Sequence, residues 1–94
     1  MATALHLDEE QFQATLATSG VVVVDFWATW CMPCKMMAPV MDRLAADYAG
    51  RAVIAKVDVD EEPDLAAQYR VQSIPMVVFF KDGQAVSTLV GARP

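Results

Sequence analysis

The only two cysteines of this chain, Cys31 and Cys34, lie two residues apart, and this pair constrains the fold more than any other feature. The apolar run Val21–Trp27 directly before them has the length of a buried strand. After them, apolar residues recur at helical spacing: Met36, Met37, Val40, Met41, Leu44 and Tyr48. A strand, a turn and a helix therefore place a dithiol at a helix N-terminus, where unpaired N–H groups and the helix dipole stabilise thiolates. A pair in this position is suited to exchanging disulfides.

The length of 94 residues predicts one small domain over residues 1–94. Hydrophobic residues make up 55% of the chain, which excludes disorder, and no apolar stretch reaches the roughly 20 residues of a membrane span. The net charge of −5 repels nucleic acid and anionic membranes, so neither is an expected partner. The N-terminus has no signal-peptide pattern, and two closely spaced cysteines in a cytoplasmic chain indicate redox or metal chemistry.

Strand and helix patterns alternate along the rest of the chain. Asp8 is the predicted N-cap of a first helix, which buries Phe12 and Leu16 and ends at Gly20. The predicted strands are residues 3–7, 21–27, 52–59, 76–80 and 85–90, and the later helices are 33–48, with Pro39 in its interior, and 63–69. Asp82-Gly83 is a hairpin signal. The order β-α-β-α-β-α-β-β predicts an α/β fold, a mixed central sheet with helices on both faces.

Several segments, in this order and over nearly the whole chain, resemble the thioredoxin family. Residues 26–35 resemble its active-site segment, 56–60 its third strand, Ile74-Pro75 its cis-proline strand, and 80–83 its hairpin. The resemblance implies a thioredoxin-like fold and a protein-disulfide reductase that needs no cofactor beyond a redox-active Cys31–Cys34 disulfide. It also implies disulfide-containing target proteins as substrates, a separate reductase that recharges the dithiol, and a cytoplasmic location.

The resemblance also implies catalytic roles. Cys31, the more exposed sulfur, is the candidate nucleophile, and Cys34 resolves the mixed disulfide. Asp25 stands in an otherwise apolar strand: it either faces water at the strand end or, as the resemblance implies, is a buried carboxyl that takes the proton of Cys34. Lys56 either pairs with Asp25 from the neighbouring strand or is solvated.

Target proteins are expected to dock around the cysteines. By resemblance, the Ile74-Pro75 bond is cis, Pro75 lies against the cysteines, and the Ile74 backbone pairs with an extended target strand; the alternative is an ordinary trans proline. The predicted binding residues are Trp30, Met32, Pro33, Ile74, Pro75, Gly91 and Ala92. Trp27, Met36, Met37 and Met41 are interpreted as core residues, and His6 as an incidental strand residue.

Two departures from the family pattern concern Met32 and the C-terminus. The family usually carries Gly-Pro between the cysteines, whereas this chain has Met32-Pro33, whose flexible thioether could tighten contacts with apolar targets or obstruct folded ones. The family continues into a terminal amphipathic helix, whereas only three residues follow Gly91 here. We therefore expect that helix to be absent, so that either a second copy or a partner chain covers the bare sheet face. We hypothesise a second copy, bound through a patch formed by Val86, Leu89, Val77 or Phe79, depending on which parity faces outward.

Two other functions compete with disulfide exchange. CxxC pairs from two copies could hold a metal ion or an iron–sulfur cluster at a dimer interface. Copper carriers, which also use CxxC, typically have Met where this chain has Thr29. A redox-silent scaffold subunit is the other alternative, but it would need neither the cysteines nor Asp25 and Pro75. No metal ligand set is predicted.

Overall fold

The computed structural model describes residues 3–91. Its strands are β1 (Leu5–His6), β2 (Val21–Trp27), β3 (Val53–Asp58), β4 (Met76–Lys81) and β5 (Gln84–Val90), and its helices are α1 (Glu9–Thr18), α2 (Met32–Asp47) and α3 (Pro63–Gln68). The predicted order β-α-β-α-β-α-β-β is confirmed, with boundaries that shift by at most two residues. Strand β1 shortens from five predicted residues, 3–7, to two. None of these helices is long and apolar enough to cross a membrane.

The five strands form one mixed sheet in the order β1-β3-β2-β4-β5. Strand β3 runs parallel to both β1 and β2, whereas β4 is antiparallel to β2 and to β5. Because β2 lies in the centre, its backbone is paired on both edges, and helices cover both of its faces. Its residues 22–26 are consecutively buried, which explains why the sequence of this strand shows no polar alternation.

Helix α1 begins at a reciprocal capping box. The Gln11 backbone N–H donates to the Asp8 carboxylate at 2.8 Å, and the Asp8 backbone N–H donates to the Gln11 side chain at 2.9 Å. This confirms Asp8 as the N-cap and sets the phase that turns Phe12 and Leu16 inward. The helix ends at Thr18 with Ser19 as its C-cap, just before the predicted end at Gly20.

The core has one hydrophobic cluster on each face of the sheet. On the first face, α1 and α3 pack against β2 and β4, and the ring of Phe12 meets those of Tyr69 and Phe80 edge-on at 5.6 and 5.8 Å. On the second face, α2 contributes Met41 and Ala45. Helices therefore cover both faces, as predicted.

Part of the second face has no cover within the described residues. Every residue of β5 is exposed, and an apolar groove of about 290 Å³ runs beside Leu44, Tyr48 and Phe79. Of the predicted patch, Val86 and Leu89 are exposed, Phe79 is partly buried, and Val77 is buried. The patch prediction is therefore wrong for Val77, which packs into the cluster under α2.

The prediction that Met36 belongs to the helix core is also wrong. Met36 is 72% exposed and Val40 45%, whereas Met41 is 1% exposed. Met36 and Val40 lie four residues apart on one side of α2, whereas Cys34, Met41 and Ala45 form its buried side. Helical spacing alone does not show which apolar side of a helix packs against the sheet.

Candidate functional site

The two cysteines lie where β2 ends and α2 begins. Cys31 is the N-cap of α2, and the Cys34 backbone N–H donates to the Cys31 sulfur at 3.2 Å. The two sulfurs form a disulfide. Cys31 is 5% exposed and Cys34 is fully buried, which matches the predicted order of exposure. Pro33, in the first turn, removes an N–H that the helix would have left unpaired, so it helps to fix the start of α2.

A loop before β4 forms the opposite wall of the site. The Ile74-Pro75 peptide bond is cis, as predicted. Ile74 packs against a small buried cluster made of Ala28, Cys31 and Cys34. Its carbonyl oxygen lies 3.9 Å from the Cys31 sulfur. The Gly91 backbone N–H donates to the Pro75 carbonyl at 2.8 Å, so the end of β5 is tied to this loop. Ala92, the last of the predicted binding residues, lies outside the described residues.

Asp25 is fully buried in the central strand β2, so the alternative of a water-facing side chain is wrong. Within residues 3–91, neither of its carboxylate oxygens has a hydrogen-bond partner. Burial raises the pKa of Asp25 from 3.8 to about 6, and the positive charge of Lys56 opposes that rise. A carboxyl with this pKa can accept and release a proton near neutral pH.

Lys56 lies opposite Asp25 in the register of β2 and β3, yet it does not bond to it. Its ammonium lies 4.2 Å from the centre of the Trp27 ring, a cation–π contact. The ring of His6 meets the same indole edge-on at 5.9 Å. Lys56 is only 6% exposed. The interpretation of Lys56 as a solvated residue is therefore wrong. Lys56 pairs with Asp25 only through its charge, because the two side chains share no hydrogen bond.

Replacing Lys56 with glutamine should raise the pKa of Asp25 further, because the charge that opposes the effect of burial is lost. The upper end of the pH range over which stability depends on Asp25 should rise, whereas the lower end, set by the unfolded chain, should not change. Urea unfolding at a series of pH values would measure this upper end. An unchanged upper end would show that Lys56 does not act on the carboxyl.

The surface next to the disulfide is apolar. Trp30, Met32 and Met36 are 66, 65 and 72% exposed. The indole N–H of Trp30 donates to the Asp60 carboxylate at 2.8 Å, which holds the ring in place. We call Trp30, Met32, Met36 and Ile74 the rim. Met36 was missed as a site residue, although its position four residues after Met32 places the two on one helix face.

Among residues 3–91, no group of three or more His, Cys, Asp or Glu side chains is arranged to hold a metal ion.

Comparisons with known proteins find one family model and related sequences. The family model described as Thioredoxin matches residues 3–94. Thioredoxin of Staphylococcus aureus is 63% identical over 76 residues, which are 81% of this chain and 73% of the relative.

Solved structures of thioredoxins share the fold. A thioredoxin of Plasmodium falciparum has a TM-score of 0.91 at 33% identity, covering 96% of this chain and 88% of its own. A thioredoxin of Malassezia sympodialis has a TM-score of 0.90 at 38% identity, covering 100% of this chain and 84% of its own.

Proposed function

Since the chain belongs to the thioredoxin family and is therefore a protein-disulfide oxidoreductase that works by thiol–disulfide exchange, we propose that Cys31 is its nucleophile and Cys34 its resolving thiol. The observation that carries this assignment is the position of Cys31 at the N-cap of α2, where the Cys34 N–H points at its sulfur. A hydrogen bond and the helix dipole favour the thiolate there. The metal-binding and scaffold alternatives are not favoured, because the family match supports exchange.

The exchange proceeds in two displacements. The Cys31 thiolate of the reduced protein attacks one sulfur of a target disulfide, which forms a mixed disulfide and releases the other target sulfur as a thiolate. The Cys34 thiolate then attacks the Cys31 sulfur, which forms the Cys31–Cys34 disulfide and releases the second target thiolate. The target gains two electrons and the protein loses two, which a reductase must return.

Asp25 is proposed to take the proton of Cys34 as this thiol becomes a nucleophile. Two observations support the role: the carboxyl is fully buried with no hydrogen-bond partner among the described residues, and its pKa is raised to about 6. A carboxylate with an ordinary pKa would be a weaker base toward a thiol. Lys56, held over Trp27, keeps this pKa from rising further.

Target proteins are proposed to dock as extended segments on the wall at Ile74 and Pro75, with the rim and Gly91 around them. The Ile74 carbonyl, 3.9 Å from the Cys31 sulfur, supports pairing through the main chain beside the reacting atoms. Main-chain pairing accepts many sequences, so affinity comes from the exposed apolar side chains of the rim.

The family implies the partners in general terms: target proteins that contain disulfides and a reductase that recycles the dithiol. We propose the cytoplasm as the location, where thiols are kept reduced.

Reduction of insulin disulfides driven by dithiothreitol tests the proposed function. Turnover well above that of dithiothreitol alone is expected. Turnover no faster than dithiothreitol alone, from a protein whose circular dichroism shows that it is folded, would contradict the function.

We also propose that two copies associate through the bare part of the second sheet face. Leu89 lies opposite Val77 in the β4–β5 register and so faces the same side as the apolar groove beside Phe79. Val21 and Tyr48, 40 and 43% exposed, border this groove. Covering these side chains would remove apolar surface from water on both copies.

Sedimentation velocity at micromolar concentration tests this association. A dimer is expected for the wild-type chain and a monomer for Leu89→Lys, because a lysine there would place a charge in the interface. Thr88→Lys is the matched control, because Thr88 is exposed on the same strand but lies opposite Val78, on the other face of the sheet. A compact, stable wild-type monomer would contradict the proposal.

A further inference from the structure

Among residues 3–91, the accessible methionines lie beside the active site. Residues 3–91 contain five methionines, and within this part of the chain only Met32 and Met36 are exposed, by 65 and 72%. Met41 and Met76 are 1 and 7% exposed, and Met37 is partly buried. Oxidation of methionine requires access to the sulfur, so the described chain offers an oxidant two thioethers, both on the rim.

These two thioethers share one face of α2. Met32 is the first residue of the helix and directly follows Cys31. Met36 lies one turn later, and side chains four residues apart are neighbours on a helix. Because Met32 directly follows Cys31, this face of α2 begins next to the reacting residue.

The disulfide form leaves these thioethers as the reactive sulfurs of the site. The cysteine sulfurs are bonded to each other and are 5 and 0% exposed. In this form a peroxide finds no thiolate at the site, so the exposed thioethers are the sulfurs that it can oxidise. In the reduced form, by contrast, the Cys31 thiolate would compete for the oxidant.

We propose that Met32 and Met36 form a peroxide-sensitive modification site that weakens the docking of protein targets; this rests on the proposed function. The thioether sulfur attacks one oxygen of hydrogen peroxide, the O–O bond breaks, and a sulfoxide and water are formed. The sulfur is oxidised by two electrons, and the peroxide is reduced. The product carries a polar S–O group where the rim had an apolar one.

The expected effect is on binding rather than on chemistry. The rim side chains are buried only when a large target docks, and burying a polar group without a partner is unfavourable. We expect the KM for insulin to rise by about 3–10-fold, the equivalent of about 1 kcal/mol of lost apolar burial. A small disulfide reaches the Cys31 sulfur without covering the rim, so its reduction should not change.

The experiment treats the disulfide form of the full chain with hydrogen peroxide, removes the peroxide, and maps the oxidised residues by peptide mass spectrometry. Two activities are then measured: dithiothreitol-driven reduction of insulin, and single-turnover reduction of dithiobis(nitrobenzoate), a small disulfide, by the pre-reduced and desalted protein. Sulfoxide at Met32 and Met36, with a higher KM for insulin only, is the expected result. Equal losses on both substrates, or no sulfoxide at these residues, would overturn the proposal.

Variants distinguish the effect of oxidising Met32 and Met36 from the effect of oxidising other residues. The double variant Met32→Leu/Met36→Leu should lose the response to peroxide, judged by the ratio of treated to untreated KM in the same variant. Met37→Leu, at the partly buried neighbour, should keep the full response. Met32→Gln/Met36→Gln should raise the insulin KM without peroxide. An unchanged peroxide response in the double leucine variant would refute the site. Failure of the untreated wild type to reduce insulin would instead refute the proposed function.

Discussion

Replacing Cys34 with serine is expected to trap target proteins as covalent adducts on Cys31 and to stop catalytic turnover. Serine cannot attack the mixed disulfide, so the reaction halts after the first displacement. Insulin reduction should fall by roughly a hundredfold or more, since removing a residue that forms or breaks a bond usually costs several orders of magnitude. The adduct should persist because Cys31 and Cys34 are the only cysteines of the sequence. The variant therefore has no second thiol that could attack the mixed disulfide.

Non-reducing gel electrophoresis and mass spectrometry of Cys34→Ser mixed with insulin would detect the adduct, and dithiothreitol should release it. Cys31→Ser is the matched control, because it keeps one cysteine but removes the proposed nucleophile. It should give neither turnover nor adduct, since the remaining sulfur is buried. Adducts on Cys31→Ser alone would reverse the two roles.

Removing the carboxylate of Asp25 is expected to stabilise the protein above pH 6. The pKa is 3.8 in the unfolded chain and about 6 in the folded one, so between these values the folded state binds the proton more tightly. The free energy of unfolding should therefore fall as pH rises through this range, by about 3 kcal/mol in total. Below pH 3.8 the carboxyl is protonated in both states and this cost is absent.

Urea unfolding of the disulfide form at a series of pH values would measure the effect in wild type and in Asp25→Asn. The difference between the two should grow from pH 4 to pH 6, in favour of the variant, and then stay constant. Asp47→Asn, which removes an exposed carboxylate, is the matched control. A difference that does not depend on pH would show that Asp25 has an ordinary pKa in the fold.

Much of the fold could be predicted from local sequence patterns. The alternation of strands and helices follows from apolar periodicity, and the capping residue Asp8 and the turn Asp82-Gly83 mark boundaries that the structure confirms. In β2, the unbroken apolar run around Asp25 indicates a strand covered on both faces, which is what places the carboxyl in the interior.

Side-chain direction at the margins of the core was not predictable. The spacing of Met36 and Met41 indicates that both belong to a helix, but it does not show which of them lies on the side that packs against the sheet. For Lys56, strand pairing identifies Asp25 as its neighbour, yet the ammonium turns to the Trp27 ring. That choice depends on packing between residues far apart in sequence, among them His6, which sequence patterns do not record.

The position of β2 between β3 and β4 has a consequence for how the chain folds. Strands β4 and β5 are joined by a two-residue turn and can pair as soon as both exist. Strand β2 must pair with β4 across about half of the sequence, and it must close a long loop to do so. We therefore expect the C-terminal hairpin to form early and the insertion of β2 to limit the folding rate. The cysteines, at the end of β2, would then reach their final geometry only at that late step.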